Sequence, residues 1–357
     1  MRKKAALILA FLLLVTACIS GCGKSSPPAG NEASGNEGAS ETQQNTTKYT
    51  IRIATSIARP DASAEFLYQF KDAIEAKTDR ITVECYPANQ FGNNNEMVTA
   101  VQGGTLQAVV LPPGFLASIC PAVNLIDCPL IFGLGDNSLA FRVLNDGVDF
   151  IDKAFDDVGL DVPAWLWSSE LWCICTKPNA TIENLKGLKI RVVNSEVSML
   201  TAEALGVTPI VMSSGDIPMA LQQGTLDGGF NGLTLITALG LHEIAGYLSP
   251  IPLTPCPMVV AFNKAFMASL PEDLSILVTD IVRDLALGAN YDLMTSDYEG
   301  FLDVIESAGV TITRPSPATN AALEAALVPV YEQFPDLFPD LAEGYREIVD
   351  KVSAYKS

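Results

Sequence analysis

From Tyr49 onward, short stretches of alternating polar and apolar residues are separated by longer segments in which apolar residues recur every three or four positions. The first pattern is typical of a half-buried strand and the second of an amphipathic helix. The pattern predicts strands over 49–54, 81–86 and 106–111, and helices over 62–77 and 95–102. This alternation predicts a mainly parallel sheet with helices on its faces.

A later segment repeats the same plan. It predicts strands over 188–193 and 207–212 and helices over 195–205 and 218–223, with Asn194 as the N-cap of the first helix. Each copy carries the same local sequence before its last strand: Gln102-Gly103-Gly104-Thr105-Leu106 in the first and Gln222-Gln223-Gly224-Thr225-Leu226 in the second.

Two similar α/β lobes imply a cleft between them. Ligands of open α/β sheets bind beyond the carboxyl ends of the strands. The loops at 112–115 and 228–232 follow the last strand of each copy, so we expect both loops to face the cleft. Most of 271–308 and 318–356 has helical spacing, and Leu270-Pro271-Glu272-Asp273 is a typical helix start. We expect a long C-terminal helix that braces both lobes.

The N-terminal segment predicts export and membrane anchoring. Three basic residues precede an apolar run over 5–17, which is shorter than the ~20 residues of a membrane span but fits a secretory signal. The run ends in two sequences that resemble a lipobox, Val15-Thr16-Ala17-Cys18 and Ile19-Ser20-Gly21-Cys22. Polar residues follow Cys22 directly, so we predict Cys22 as the lipidated residue, with Cys18 as the alternative.

The residues after Cys22 predict a flexible tether. Segment 23–48 has no aliphatic side chain larger than alanine and no aromatic residue, so it cannot bury enough surface to offset its ordering entropy. The predicted organisation is a signal peptide over 1–21, a tether over 22–48 and a folded region over 49–357. Within the folded region we expect a first lobe over about 49–165, a second over about 166–262, and C-terminal helices over 263–357.

Composition narrows the classes of partner. The 357 residues carry a formal net charge of −19, which argues against nucleic acid as a partner. The single histidine and the absence of a C-x-x-C pair predict no metal site, and no motif points to a cofactor. Cys173 and Cys175 share one face of an apolar run, which favours buried small hydrophobes over a redox pair. A disulfide between Cys120 and Cys128 stays open at this stage.

Catalytic signatures are missing from the sequence. It has no G-x-S-x-G motif, and Gly133-Leu134-Gly135 lacks the third glycine of a dinucleotide fingerprint. No carboxylate pair is singled out for glycoside hydrolysis. We therefore expect a binding protein with no catalytic residues rather than an enzyme. Among enzymes, the alternative is a secreted hydrolase.

Several segments, in order and at similar spacing, resemble the solute-binding proteins of tripartite ATP-independent periplasmic (TRAP) transporters, of the dicarboxylate-binding DctP type. The resemblance covers Tyr49 to about Thr313. The segments that carry it are Lys77-Thr78-Asp79-Arg80-Ile81-Thr82-Val83, Gln90-Phe91-Gly92, Asn184-Leu185-Lys186-Gly187-Leu188-Lys189-Ile190-Arg191, Ala220-Leu221-Gln222-Gln223-Gly224-Thr225-Leu226-Asp227-Gly228 with Asn231, and Leu270-Pro271-Glu272-Asp273.

The resemblance implies a two-lobed, periplasmic-binding-protein-like α/β fold with mixed, mostly parallel sheets. It also implies capture of a small organic acid for TRAP membrane permease subunits. The family's strand arginine, which pairs with a substrate carboxylate, matches Arg191, and a guanidinium fork suits a carboxylate. The family's ligand-bonding asparagine matches Asn231.

The chain departs from the family in three places, each toward apolar character. Many relatives have a second arginine upstream of the strand that bears Arg191, but 165–173 contains none. Leu111-Pro112-Pro113 stands where a polar group often follows the first-lobe strand, and Phe230 stands before Asn231 where many relatives have a polar residue. We therefore expect a monocarboxylate with an apolar or aromatic body. That body would pack against Trp167, Trp172, Phe115 or Phe230, with Ser56 and Asn94 as further candidates for ligand contacts. For the tryptophans, packing in the core is the alternative.

The same two-lobed architecture serves other membrane systems. A receptor for an ABC permease or the extracellular domain of a sensor kinase would share the pattern of strands and helices. The alternative functions at this stage are therefore these two kinds of binding protein.

Overall fold

The computed structural model describes residues 47–133, 137–292, 298–314 and 316–356. The predicted signal peptide, the candidate lipidation residues Cys18 and Cys22, and nearly all of the tether lie outside the described residues. In the described ranges no helix combines the length and the apolar character that crossing a membrane requires.

The first lobe is built around three parallel strands. β1 pairs in parallel with β2 and with β3, and Phe66, Phe70 and Ile74 of the first helix are buried against them. Asp61 caps that helix by accepting from the Ser63 backbone N–H. The elements are β1 (Tyr49–Ala54), α1 (Ala62–Lys77), β2 (Ile81–Tyr86), α2 (Asn94–Gln102) and β3 (Ala108–Leu111).

The second lobe repeats this order. β5 pairs in parallel with β6 and with β7. The repeated elements are β5 (Lys189–Val192), α6 (Glu196–Ala204), β6 (Thr208–Val211), α7 (Ile217–Gln222), β7 (Gly228–Asn231) and α8 (Leu233–Ala238). Between β3 and β5 the chain forms α3 (Asn137–Asn145), α4 (Asp149–Asp157), β4 (Leu160–Cys175) and α5 (Ile182–Leu185). The predicted cap of α6 is wrong: Ser195, not Asn194, accepts from the Ser198 backbone N–H.

Two long strands join the lobes. β4 has 16 residues and β8 (Tyr247–Asn263) has 17, and they run antiparallel along their length, with register shifts between Leu166 and Ser169 and between Glu170 and Trp172. One end of β8 pairs with β3 of the first lobe, while the Trp172 end of β4 pairs with β7 of the second. The strand order is β2-β1-β3-β8-β4-β7-β5-β6, with the short β9 (Thr311–Ile312) beside β8. The sheet is therefore mixed, as predicted, and mostly parallel outside its two central strands.

The C-terminal helices connect the two cores. They are α9 (Lys264–Ser269), α10 (Glu272–Leu285), α11 (Tyr298–Ser307), α12 (Pro317–Leu337) and α13 (Ala342–Lys356). Buried residues of α10 pack in the first lobe and those of α11 in the second. α12 reaches both, with Leu323 and Leu327 in a core of the second lobe and Phe334 in a core of the first. The helix predicted to begin at Pro271 is α10, whose buried residues pack in the first lobe; the helix that reaches both lobes is α12.

The cysteines of the described residues carry free thiols. Cys173 and Cys175 are both fully buried on one face of β4, with their sulfurs 3.4 Å apart, as expected for small core hydrophobes. Cys120 and Cys128 are buried and not bridged to each other.

Candidate functional site

Arg191 lies near the carboxyl end of β5, where strand alternation turns Ile190 and Val192 into a core and Arg191 to the other face. Its side chain is 2% exposed. Nε donates to the Met212 carbonyl at 3.2 Å, Nη2 to the Ser214 hydroxyl at 3.2 Å, and Nη1 to Asn231 Oδ1 at 3.4 Å. Three neutral acceptors therefore hold the guanidinium in one orientation.

The positive charge of Arg191 has no counter-ion in the part of the chain that the structure describes: none of the ion pairs there includes it. Burial lowers the pKa of Arg191 to about 10, so the side chain is still protonated at neutral pH. A buried charge without a partner is unfavourable, because its hydration is lost and nothing replaces it. The site is therefore suited to an anionic group.

Asn231 ends β7 beside Arg191 and is 1% exposed. Its Oδ1 faces Nη1 of Arg191, whereas its buried Nδ2 has no hydrogen-bond partner among the described residues. Gly229 makes this arrangement possible. A Cβ at Gly229 would lie 2.6 Å from Asn231 Nδ2 and 3.4 Å from Arg191 Cβ, so only glycine leaves both side chains their space.

The first lobe closes over this group through the turn that follows β3. The Phe115 ring centroid lies 6.0 Å from Cζ of Arg191, at the limit of a cation–π contact. The preceding Gly114 lies against the second lobe, since a Cβ there would be 2.7 Å from Val193 Cγ2. The loop after the first-lobe strand and the strand end that bears Arg191 therefore face each other.

Asn94 begins α2 in the first lobe and is 1% exposed. Neither its Oδ1 nor its Nδ2 has a hydrogen-bond partner among the described residues. The loop before α2 approaches the Ser214 turn, because a Cβ at Gly215 would lie 3.0 Å from Asn89 Nδ2. A buried amide without partners is costly, and a bound polar molecule would supply them.

The other predicted residues have varied surroundings. Ser56 is buried directly after β1. Trp172 is fully buried opposite Asn231 in the β4–β7 register, and its Nε1 has no hydrogen-bond partner in the described ranges. Trp167 packs edge-on against Phe141 and Tyr291, apart from the Arg191 group.

Three side-chain contacts between the lobes were not anticipated from the sequence. Thr234 Oγ1 donates to the buried Asp61 carboxylate at 2.9 Å. Ser195 Oγ donates to Asn124 at 2.9 Å, and Ser198 Oγ donates to Asp127 at 3.1 Å. These contacts describe a closed arrangement of the lobes. No local sequence pattern pairs Asp61 or Ser195 with the other lobe.

A pocket lies beside the Arg191 group, between the loop after β3 and the strand ends of the second lobe. The space between and in front of its walls, open solvent included, is about 590 Å³. Phe230, Val192 and Gly114 line it, and so does Asp127. Burial raises the pKa of Asp127 to about 6. Because Val192 follows Arg191 on the strand, the pocket and the guanidinium lie on opposite faces of β5 at the same end.

A model of the family described as bacterial extracellular solute-binding protein, family 7 (DctP), matches residues 53–336. The 2,3-diketo-L-gulonate-binding periplasmic protein YiaO of Escherichia coli is 26% identical over 271 residues, covering 74% of this chain and 80% of that protein. The ectoine-binding periplasmic protein TeaA of Halomonas elongata is 26% identical over 302 residues, covering 82% and 86%.

Solved structures have the same fold. A TRAP periplasmic solute-binding protein from Desulfovibrio salexigens with bound orotic acid superposes with a TM-score of 0.78 at 24% identity, covering 85% of this chain and 100% of that one. The sugar acid binding protein DctPAm from Advenella mimigardefordensis, in complex with galactonate, gives a TM-score of 0.80 at 18% identity, covering 86% and 99%.

Proposed function

The chain belongs to family 7 of the bacterial extracellular solute-binding proteins, the DctP family, and on that premise we propose that it captures a small organic acid through Arg191 and delivers it to a TRAP-type membrane permease. The observation that carries the proposal is the buried Arg191 guanidinium, which has no counter-ion among the described residues, beside the unpartnered Nδ2 of Asn231. The buried amide of Asn94 in the first lobe also lacks hydrogen-bond partners among those residues. Together these groups can bind the carboxylate of a ligand and further polar atoms of the same ligand.

The energetics favour an acid. A charge-assisted hydrogen bond from an arginine to a carboxylate is shorter and stronger than a neutral one, and a planar fork holds both oxygens. Each buried polar group that finds a partner on binding recovers roughly 1–3 kcal/mol of desolvation cost. Related proteins support an organic acid as the class of ligand. By their names, one binds 2,3-diketo-L-gulonate and another binds ectoine, and one solved structure holds galactonate.

We propose one carboxylate on Arg191 and an apolar body that packs on Phe115 and Phe230. Phe115 covers the guanidinium, and prolines occupy the loop after β3. The contacts of Asp61, Asn124 and Asp127 with the second lobe form when the lobes close. A ligand that binds both lobes shifts the population toward this closed form, which is the form a permease would recognise.

We also propose that Cys22 carries the lipid and that residues 22–48 tether the receptor to the outer face of the cell membrane. Two acyl chains on one cysteine supply the double anchor that a single chain lacks. Membrane fractionation of the full chain tests this. Cys22→Ser should release the protein into the soluble fraction, and Cys18→Ser should not; the opposite result would move the anchor to Cys18.

A thermal-shift screen of monocarboxylates, dicarboxylates and sugar acids tests the function, because a ligand that binds only the folded state raises the melting temperature. We expect a shift with monocarboxylates. Calorimetry with Arg191→Ala should show a loss of affinity of about 30-fold or more, as for other buried charge pairs. Unchanged affinity of Arg191→Ala for every acid would refute the anchor, and tight dicarboxylate binding without any monocarboxylate binding would refute the ligand class.

A further inference from the structure

The Asp127 carboxylate is a second charge at the cleft that lacks an opposite partner. It lines the pocket beside the Arg191 group and accepts a hydrogen bond from Ser198 Oγ at 3.1 Å. No ion pair of the described residues includes it. Burial raises the pKa of Asp127 to about 6, so the carboxylate is mostly ionised at neutral pH.

The remaining walls of this Asp127 pocket are mainly apolar. Pro112, Pro113, Pro255 and Pro257 form its sides, and the Phe230 ring closes one end. Ser198, Cys256 and Thr201 also line it, and the Thr201 hydroxyl is buried and has no hydrogen-bond partner in the described ranges. A carboxylate, an aromatic ring and a free hydroxyl among apolar walls are complementary to a small organic cation.

The pocket adjoins the carboxylate anchor. Val192 and Val193 line the pocket and directly follow Arg191 on β5. From the first lobe, Gly114 lines the pocket and the next residue, Phe115, lies over the Arg191 guanidinium. Arg191 and Asp127 therefore lie on the two sides of the end of β5, and both lie beneath the loop that follows β3.

We infer that the ligand is a zwitterion, whose carboxylate binds Arg191 and whose ammonium or amidinium group enters the Asp127 pocket. The inference rests on the proposed function, because it takes Arg191 as the carboxylate anchor. A plain acid would neutralise Arg191 and leave the buried Asp127 carboxylate with the Ser198 hydroxyl but without a counter-ion among the described residues. A dicarboxylate would bring a second negative charge toward Asp127. Only a ligand with both charges pairs both buried groups.

Isosteric ligand pairs test the inference on the unmodified protein. Trimethylammonioacetate, -propanoate and -butanoate differ from tert-butylacetate, -propanoate and -butanoate by one positive charge, and the unsubstituted amino acids glycine, β-alanine and γ-aminobutyrate add N–H donors. In calorimetry we expect, at the best chain length, that a zwitterion binds about tenfold or more tightly than its uncharged-tail isostere. Equal or tighter binding of the isostere would overturn the inference.

Two variants assign the effect to Asp127. Asp127→Asn should abolish the preference for the zwitterion, measured in the variant as the ratio of its affinities for the zwitterion and for the tert-butyl acid, so that a shared effect on lobe closure cancels. Asp152→Asn, which removes a carboxyl in α4 whose pKa is also raised to about 6, should keep the preference. A preference that survives Asp127→Asn would overturn the inference.

The outcomes also separate this inference from the proposed function. If plain acids alone bind, and Arg191→Ala abolishes their binding, the receptor function stands and the zwitterion is wrong. If no acid or zwitterion binds at all, the proposed function fails, and the inference fails with it.

Discussion

At the scale of single residues, the site is defined by hydrogen-bonding groups that the protein does not satisfy itself. Within the described part of the chain, Arg191 has three neutral acceptors and no ion-pair partner, and the buried amides of Asn231 and Asn94 have atoms without hydrogen-bond partners. Arg191 and Asn231 could be predicted because family segments carry them. That both amide atoms of Asn94 lack hydrogen-bond partners could not be predicted, because it depends on how the loop before α2 packs.

Asn231→Asp tests the charge balance at this scale. The substitution places a carboxylate 3.4 Å from Nη1 of Arg191 and so supplies the missing counter-ion from within the protein. We expect the ligand-free variant to melt higher than the parent, and its affinity for organic acids to fall by about 100-fold through competition and like-charge repulsion. Asn231→Ala is the control, with a smaller loss and no gain in melting temperature. Parent-like affinity in Asn231→Asp would contradict the account.

At the scale of elements, the sequence predicted β1, α1 and β2 with their observed bounds, because each has one buried and one exposed face. It missed the lengths of β4 and β8. Both strands are buried on two faces for much of their length, so polar and apolar residues do not alternate there. Pro250, Pro255 and Pro257 also argue against a strand by local preference, and the register shifts of β4 on β8 accommodate such residues.

β7 offers a test of how an element positions the site. A methyl group at Gly229 would lie 2.6 Å from Asn231 Nδ2, so Gly229→Ala must displace the Asn231 side chain or the strand. We expect an overpacking cost of about 1–3 kcal/mol in the free energy of unfolding and a marked loss of acid binding. Denaturant unfolding and calorimetry measure the two effects. Gly246→Ala, where a Cβ meets nothing within 4 Å, is the matched control.

At the scale of the whole molecule, the lobes are held together by the long strands, by α12 and by side-chain contacts across the cleft. Repetition of the α/β plan predicted two lobes and a cleft. The contacts that close the cleft could not be predicted, because they join residues far apart in sequence, as Asp61 and Thr234 do. Closure therefore brings a carboxyl group of the first lobe into the interior, and no ion pair among the described residues includes it.

The buried Asp61 makes the stability of the closed form depend on pH. Burial raises the pKa of Asp61 above the unfolded value of about 3.9. The folded state therefore holds this proton more tightly than the unfolded state does, and the contribution of Asp61 to stability falls as the pH rises above about 4. Relative to Asp61→Asn, which does not titrate, the parent should lose unfolding free energy from pH 4 to pH 7. A constant or growing difference in favour of the parent would contradict this.

The most direct test of the account is a crystal structure of the protein with an acid selected by the thermal-shift screen. We predict that the ligand carboxylate lies within about 3 Å of the Arg191 guanidinium, with both of its oxygens bound by the fork. We also predict that Asn231 Nδ2 donates to the ligand and that the Asn94 amide contacts it. A ligand bound elsewhere, or an Arg191 side chain turned away from the carboxylate, would contradict it.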